Sequence, residues 1–194
     1  MRKVDKATFR GILIGDSHLR HRYKKAELQI NHSLKQKEYF LFKHKFLEEF
    51  VNKKIKYSES KIKNGYEVIR LSVSDKYFNY CHKWLYKPKK KVTLKYLRKV
   101  NNRGIAFWYM NDGSLYAKKR NGKVHAYELV ISMYVIKKEA EDAVKFMKER
   151  FDCNFTLKYN KGKYSIRCGT KEAKKFLAQI EEYIPSCMSY KLFT

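Results

Sequence analysis

The sequence predicts an α+β fold of two pseudo-symmetric αββαββα subdomains whose antiparallel sheets form a saddle. Residues 11–17 (GILIGDS) and 107–113 (FWYMNDG) are similar stretches, each an apolar run that reaches an aspartate. The two aspartates lie 96 residues apart in a chain of 194, which is the spacing of an internal duplication. The order of helices and hairpins that follows the first stretch also repeats after the second.

The elements of the first half follow from local patterns. Apolar residues at helical spacing, such as Phe42 and Phe46, indicate helices. Loose alternation of polar and apolar residues indicates strands, and Asn64-Gly65 is a hairpin turn signal. The predicted helices are 7–16, 35–51 and 75–86, and the predicted strands are 17–23, 26–33, 54–62 and 66–74.

The second half repeats this order. Its predicted helices are 104–112, 137–151 and 171–183, and its predicted strands are 114–120, 124–133, 153–160 and 163–169. Pro88 lies in a basic stretch near the midpoint and indicates the start of a linker. The chain therefore divides into a first half at 1–87, a linker at 88–103 and a second half at 104–194.

The charge indicates a polyanionic partner. The chain has 45 Lys and Arg against 19 Asp and Glu, a net charge of +26, and both halves are basic. Nucleic acid is the simplest partner for such an excess. There is no run of 18 apolar residues, so we expect no membrane span. The four cysteines are widely spaced, which predicts buried thiols and an intracellular, reducing environment, whether organelle, phage-infected cell or prokaryotic cytoplasm.

The predicted strands offer candidates for nucleic-acid contact, because an antiparallel ribbon fits the DNA major groove. The polar and basic residues predicted on these strands and their turns are Arg20, Arg22, Lys24, Gln29, Asn31, Lys56, Lys61, Arg70, Lys118, Arg120, Lys158 and Arg167.

The two motif helices predict a metal site. Gly11 and Gly15 share a helix face, where a second helix can approach closely, with Ala106 and Asn111 among its contact candidates. Side-by-side packing would bring Asp16 and Asp112 to the same end. Carboxylates there face an unfavourable helix dipole and mutual repulsion, which divalent cations relieve. For a single aspartate a solvated turn would be the better interpretation, but the matched pair favours metal.

These stretches resemble the LAGLIDADG motif of homing endonucleases, whose penultimate residue is the catalytic aspartate, here Asp16 and Asp112. The resemblance is closest to the monomeric, two-motif, intron-encoded type, whose ending is similar to residues 184–192 (IPSCMSYKL). It implies the homing endonuclease fold and a Mg²⁺- or Mn²⁺-dependent enzyme. Such an enzyme cuts both strands of a long, asymmetric DNA site across the minor groove.

The resemblance also implies further site residues. The family places basic residues near the metal-bound water, and Lys191 matches one of them. Lys91 is the best match for its counterpart, with Lys90 as the alternative because alignment slips in a lysine run. Gly15 and Asn111, which precede the aspartates, are assigned to the metal site, with Asn111 in a packing or supporting role.

The two halves are expected to be unequal. Gln29 and Asn31 stand where the family tends to place polar groups near the metal, whereas the corresponding residues 130–132 (VIS) offer only a hydroxyl. We therefore expect unequal cutting of the two strands by a monomer that needs no protein partner.

Two other functions fit the same charge. One is an RNA-splicing maturase that binds structured intron RNA, and the other is a non-catalytic nucleic-acid-binding protein, for example on ribosomal RNA. Both aspartates are intact, which weighs against a silent protein but fits a maturase. Metal-dependent cleavage of a plasmid carrying the flanking sequence discriminates among these functions.

Overall fold

The chain folds into two halves of identical topology, as the α+β prediction requires. The computed structural model describes residues 3–22, 25–62, 65–86 and 89–193. In the first half the elements are α1 (Lys3–Ile14), β1 (Ser17–Arg22), β2 (Lys25–Ser33), α2 (Lys37–Val51), β3 (Tyr57–Lys61), β4 (Glu67–Ser74) and α3 (Lys76–Leu85). Its four strands form one antiparallel sheet in the order β1-β2-β4-β3.

The second half repeats this arrangement after a short helix, α4 (Leu94–Leu97). Its elements are α5 (Asn102–Asp112), β5 (Gly113–Arg120), β6 (Lys123–Val135), α6 (Lys137–Phe151), β7 (Thr156–Asn160), β8 (Lys163–Gly169) and α7 (Thr170–Leu177). The sheet order is β5-β6-β8-β7, again antiparallel. The predicted repeat of αββαββα is confirmed.

Several predicted boundaries shift by a few residues. The helix predicted over 7–16 ends at Ile14, because Ser17 closes the turn by donating its hydroxyl to the Ile12 carbonyl at 2.7 Å. Asp16 thus lies just beyond the helix. The helix predicted over 171–183 ends at Leu177, and a single 3₁₀ turn follows at Glu181–Tyr183. The predicted turn residue Asn64 lies outside the described residues.

Each sheet has an apolar face and a polar face. In β2, Ala26, Leu28 and Ile30 are fully buried against the helices, while the alternating residues Glu27 and Gln29 are partly exposed. This alternation is typical of an antiparallel sheet that packs on one side only. It leaves one polar surface on each half.

Two residues of the predicted linker bond to helix α6 of the second half. The Val92 N–H donates to the Glu139 carboxylate at 2.9 Å, and the Leu94 N–H donates to the Asp142 carboxylate at 3.0 Å. Helix α5 begins at Asn102, two residues before the predicted start of the helix at residue 104. Within the described ranges, no helix is long and apolar enough to cross a membrane.

Candidate active site between the two motif helices

The two motif helices pack with their backbones in contact. A Cβ atom placed on Gly11 would lie 2.0 Å from the carbonyl oxygen of Gly104, and one on Gly15 would lie 2.2 Å from the amide nitrogen of the Asn111 side chain. Real Cβ atoms do not approach other atoms so closely, so α1 needs glycine at both positions. The predicted contact face is confirmed, with Asn111 against Gly15, although Gly104 rather than Ala106 meets Gly11.

This packing brings the two aspartates together. Asp16 is exposed just after α1, and Asp112 is the partly buried last residue of α5. Burial, followed by the nearby Asp16 carboxylate, raises the pKa of Asp112 to about 7, although the charges of Lys90, Lys191 and Lys43 act in the opposite direction. A desolvated carboxylate beside a second one is a site that favours cations.

Two lysines, one from the predicted linker and one from the second half, reach the helix ends. Lys90 donates from Nζ to the Gly15 carbonyl at 2.8 Å. Lys191 donates to the carbonyls of Met110 and Gly113 at 2.6 and 2.7 Å. These carbonyls belong to helix C-terminal turns, which lack intrahelical partners. Burial lowers the pKa of Lys90 to about 8 and also lowers the pKa of Lys191.

The preferred assignment of Lys91 needs correction. Its side chain is exposed, and only its backbone N–H is engaged, by the Leu85 carbonyl at 2.8 Å. An isolated bridge between Tyr86 and Lys90 sets the register of the lysine run, so that Lys90 points inward. Lys90, the alternative in the sequence prediction, is the lysine that pairs with Lys191 across the site.

Asn111 is held by two side chains from the first half. Its side-chain oxygen accepts hydrogen bonds from the Tyr39 hydroxyl at 2.8 Å and from Lys43 Nζ at 2.9 Å. Because two donors from the first half occupy that oxygen, the side chain supports the helix end and is not placed as a metal ligand. The Gly15 carbonyl is likewise engaged, by Lys90.

Behind Asn111 lies a buried polar cluster that is absent from the predicted site. Lys43 is 0% exposed, and burial lowers its pKa to about 7. His32 is also buried and its Nδ1 lies 3.0 Å from the Gln36 side-chain oxygen; burial, followed by the Lys43 charge, lowers its pKa to about 4. A sequence signal for Lys43 exists, since it occupies the apolar stripe of α2, four residues after the buried Tyr39.

A cavity of about 230 Å³ adjoins the second aspartate. Its lining includes Asp112, Lys90, Trp108 and Tyr134. Tyr134 has a φ of 51°, where β6 shifts register against β8. Bulky residues adopt this left-handed conformation rarely, and such strain tends to occur near functional sites.

The polar face of the first sheet collects most of the nucleic-acid candidates from that half. Gln29, Asn31, Lys56 and Arg70 line one groove of about 420 Å³. Arg20 is exposed and pairs with Glu27 in the β1–β2 register, on the same face as Gln29.

The other three candidates from this half differ. The register sets Lys61 opposite Glu67, on the side that carries the buried Ile69 and Leu71, and its amine pairs with the Glu67 carboxylate at 3.4 Å. Lys61 is therefore separated from the groove, because a strand alternates its faces. Lys24 and the side chain of Arg22 lie outside the described residues.

On the second sheet three of the basic candidates lie close to one glutamate, Glu128. Glu128 accepts from Arg167 at 3.1 Å and lies 3.7 and 3.9 Å from the amines of Lys118 and Lys158. Glu128 is not among the residues predicted from the sequence. Arg120 is exposed, beyond a bulge at Lys118–Lys119.

Comparison with known proteins decides the family. A sequence model of the LAGLIDADG DNA endonuclease family matches residues 7–176, which include both motifs and both aspartates. The chain belongs to the LAGLIDADG DNA endonuclease family. The resemblance inferred from the two motifs is thereby confirmed.

Relatives of this LAGLIDADG endonuclease include two fungal proteins. "Probable intron-encoded endonuclease 1" of Wickerhamomyces canadensis is 28% identical over 203 residues, covering 98% of this chain and 84% of that protein. "Probable intron-encoded DNA endonuclease 3" of Mycosarcoma maydis is 29% identical over 100 residues, covering 50% of this chain and 66% of that protein.

Solved structures share the fold. The homing endonuclease I-WcaI bound to its DNA recognition sequence superimposes with a TM-score of 0.84 at 24% identity, covering 100% of this chain and 88% of that one. I-DmoI in complex with DNA and Mn gives a TM-score of 0.57 at 16% identity, covering 92% and 96%.

The donor set of this LAGLIDADG endonuclease fits a hard divalent cation. Among the described residues, no group of three or more His, Cys, Asp or Glu could hold a metal ion. The site instead offers the two carboxylates of Asp16 and Asp112. Mg²⁺ is commonly held by one or two carboxylates, with water and phosphate oxygens completing its shell.

Proposed function

We propose that this endonuclease cuts both strands of a long, asymmetric DNA site, with Asp16 and Asp112 as the metal-binding carboxylates. The observation that carries the proposal is the desolvated Asp112 carboxylate beside Asp16, where the ends of α1 and α5 meet. Lys90 and Lys191 lie at these two helix ends in equivalent places. Two carboxylates, each with one lysine at its helix end, suit two phosphodiester cleavages.

The chain's own residues would position the reacting groups. Asp16 and Asp112 would hold Mg²⁺ or Mn²⁺, which would supply a water nucleophile and stabilise the leaving oxygen of the phosphodiester. Asp16 and Asp112 hold fixed positions because the glycine contacts lock the helices that carry them. The amines of Lys90 and Lys191 would stabilise charge that develops on the phosphate, and their lowered pKa values bring proton exchange nearer to neutral pH.

Double-stranded DNA would bind across the two polar sheet faces. The first face presents Gln29, Asn31 and Arg70, and the second presents Lys118 and Arg167. If about 6–10 phosphates are neutralised, affinity should fall on the order of 10³–10⁵-fold between about 50 and 200 mM salt. Filter binding or fluorescence anisotropy across that range tests this, and a nearly flat response would contradict it.

The asymmetry of the faces favours a monomer on an asymmetric site. The first groove contains amides at Gln29 and Asn31, whereas Val130 replaces Gln29 in the matching register of the second sheet. One chain also supplies both carboxylates. Sedimentation of the DNA complex should show one chain per duplex, and two chains per site would refute this part.

The deciding experiment is cleavage of a plasmid that carries the sequence flanking the gene. We expect Mg²⁺-dependent linear product from the wild type. Tight binding of structured intron RNA without any DNA cleavage would instead favour the maturase function. A basic surface alone would bind either DNA or RNA. Two carboxylates at a site that favours cations are what metal-dependent cleavage needs, and they therefore favour the nuclease function.

We also propose that the protein works in a reducing, intracellular compartment. Cys81, Cys153 and Cys168 are buried as free thiols, and burial raises the pKa values of Cys81 and Cys153 to about 11 and of Cys168 to about 12. Such thiols stay protonated and unreactive. Localisation of a tagged chain in its host would test this.

A further inference from the structure

The end of the second motif helix is held by side chains from the other half of the molecule. Lys43 and Tyr39, both on α2, donate to the same Asn111 oxygen at 2.9 and 2.8 Å. Asn111 immediately precedes Asp112 on α5. The Lys43 amine also lies 4.5 Å from the centroid of the Tyr39 ring. The contact therefore joins the core of the first half to the turn that carries the second aspartate.

A buried lysine in this place is costly for stability. Lys43 is 0% exposed, and the attraction of the Asp16 and Asp112 carboxylates only partly offsets the cost of burying its amine. Burying a charged amine is unfavourable unless it is closely paired and hydrogen-bonded. Packing alone would be served better by an apolar residue.

The equivalent helix of the second half, α6, shows that packing does not require a lysine at this position. Helices α2 and α6 have 15 residues each and both end at a left-handed residue, Asn52 and Asp152. In this alignment Lys43 matches Ala143, which is fully buried. The same fold thus forms without a lysine at that position.

The described residues show no comparable hydrogen-bonded attachment at the first motif. At the place of Asn111 it has Gly15, which offers no side chain, and its turn is held by Ser17 and by Lys90 from the predicted linker. The Lys43 charge acts on both Asp16 and Asp112, but its hydrogen bond reaches only the turn that carries Asp112.

We propose that Lys43 is a positioning residue for Asp112. By clamping Asn111 from across the boundary between halves, it fixes the last turn of α5 and so sets the rate at which one of the two DNA strands is cut. This inference rests on the proposed nuclease function of Asp16 and Asp112. It assigns a strand-specific role to a residue that touches neither metal nor DNA.

The Lys43→Met variant separates positioning from stability. Methionine keeps the length of the apolar stem and removes the cost of burying the amine, while the Tyr39 hydroxyl still donates to the Asn111 oxygen. Thermal unfolding should show a Tm at or above that of the wild type. Lys45→Met is the matched control, because Lys45 is an exposed lysine on the same helix.

The readout is the cleavage rate of each DNA strand, measured with separate end labels at saturating Mg²⁺. We expect Lys43→Met to slow one strand by about 10- to 100-fold, as loss of groups that orient metal ligands does. The other strand should stay within the range of Lys45→Met, so that nicked DNA accumulates. Equal slowing of both strands, or no slowing, would overturn the proposal.

A double-mutant cycle with Asn111→Ala tests whether Lys43 acts through Asn111. If Lys43 acts through Asn111, the double variant should be no slower than the slower single variant, because the second change removes nothing more. Additive losses would overturn the route. A wild type and a Lys45→Met variant that cut neither strand would overturn the nuclease function itself, which keeps the two failures distinct.

Discussion

The two halves share one backbone plan but differ where they meet. In the first motif Gly15 precedes Asp16, and in the second Asn111 precedes Asp112. A Cβ on Gly15 would lie 2.2 Å from the Asn111 side chain, so the space between the helix ends admits one side chain and not two. Asymmetry at this point is therefore a steric necessity once Asn111 is present. It shows how a duplicated fold can keep paired carboxylates while their supports diverge.

Among changes that test the difference between the two motifs, the largest effect is expected from loss of either carboxylate. Asp16→Asn and Asp112→Asn should each bind target DNA but lower double-strand cleavage in Mg²⁺ by at least about 10²–10³-fold, because a carboxylate that would hold the metal ion is lost, and with it the charge stabilisation that the ion would supply. Plasmid cleavage and electrophoretic mobility shifts measure the two properties. Full cleavage by either variant would remove that residue from the site.

The next largest effect on cleavage is expected from loss of either lysine at the helix ends. We expect Lys90→Met and Lys191→Met each to slow cleavage by about 10- to 100-fold at constant DNA affinity, since each removes one amine from the proposed cleavage site. Lys91→Met is the control, because its side chain is exposed. A loss confined to Lys91→Met would show that the register of this lysine run is different in the DNA complex.

Much of the fold could be predicted because its signals are local or repeated. Two motifs at half-length spacing predict the duplication, the carboxylates and the helix packing through Gly15. The alternation of apolar and polar residues predicts the strands, as the buried Leu28 and Ile30 of β2 show. These features need no knowledge of the contacts between distant residues.

The errors involve register and long-range contacts. Lys90 and Lys91 differ only in which one the Tyr86–Lys90 bridge turns inward. Lys61 matches its neighbours in charge, but strand pairing sets it on the opposite face. Lys43 reaches Asn111 over 68 positions of sequence, which no local pattern specifies.

The glycine contacts offer a test of which helix positions tolerate a side chain. Gly11→Ala should destabilise the fold by about 2–3 kcal/mol, because the new methyl meets the Gly104 backbone, which cannot move aside. Gly15→Ala meets a side chain instead, so Asn111→Gly should restore much of its stability. Thermal melts of the single and double variants measure this, and rescue of Gly11→Ala by Asn111→Gly would contradict the packing.

The smallest effect concerns the stability of the metal-free protein. The folded-state pKa of Asp112, about 7, lies above the ordinary value of 3.8, so the folded state holds this proton more tightly than the unfolded chain does. Its contribution is fully present below pH 3.8 and is lost as the pH rises towards 7. In EDTA at pH 8, Asp112→Asn should therefore be more stable than the wild type by about 1–2 kcal/mol, at 1.4 kcal/mol per pKa unit with a discount for partial exposure. Asp16→Asn, at an exposed carboxylate, should gain less.

Urea unfolding at pH 5 and pH 8 measures the difference, which should shrink at pH 5 and when Mg²⁺ is added to the wild type. An Asp112→Asn protein less stable than the wild type at pH 8 would mean that the carboxylate is held by the surrounding lysines rather than by a cation.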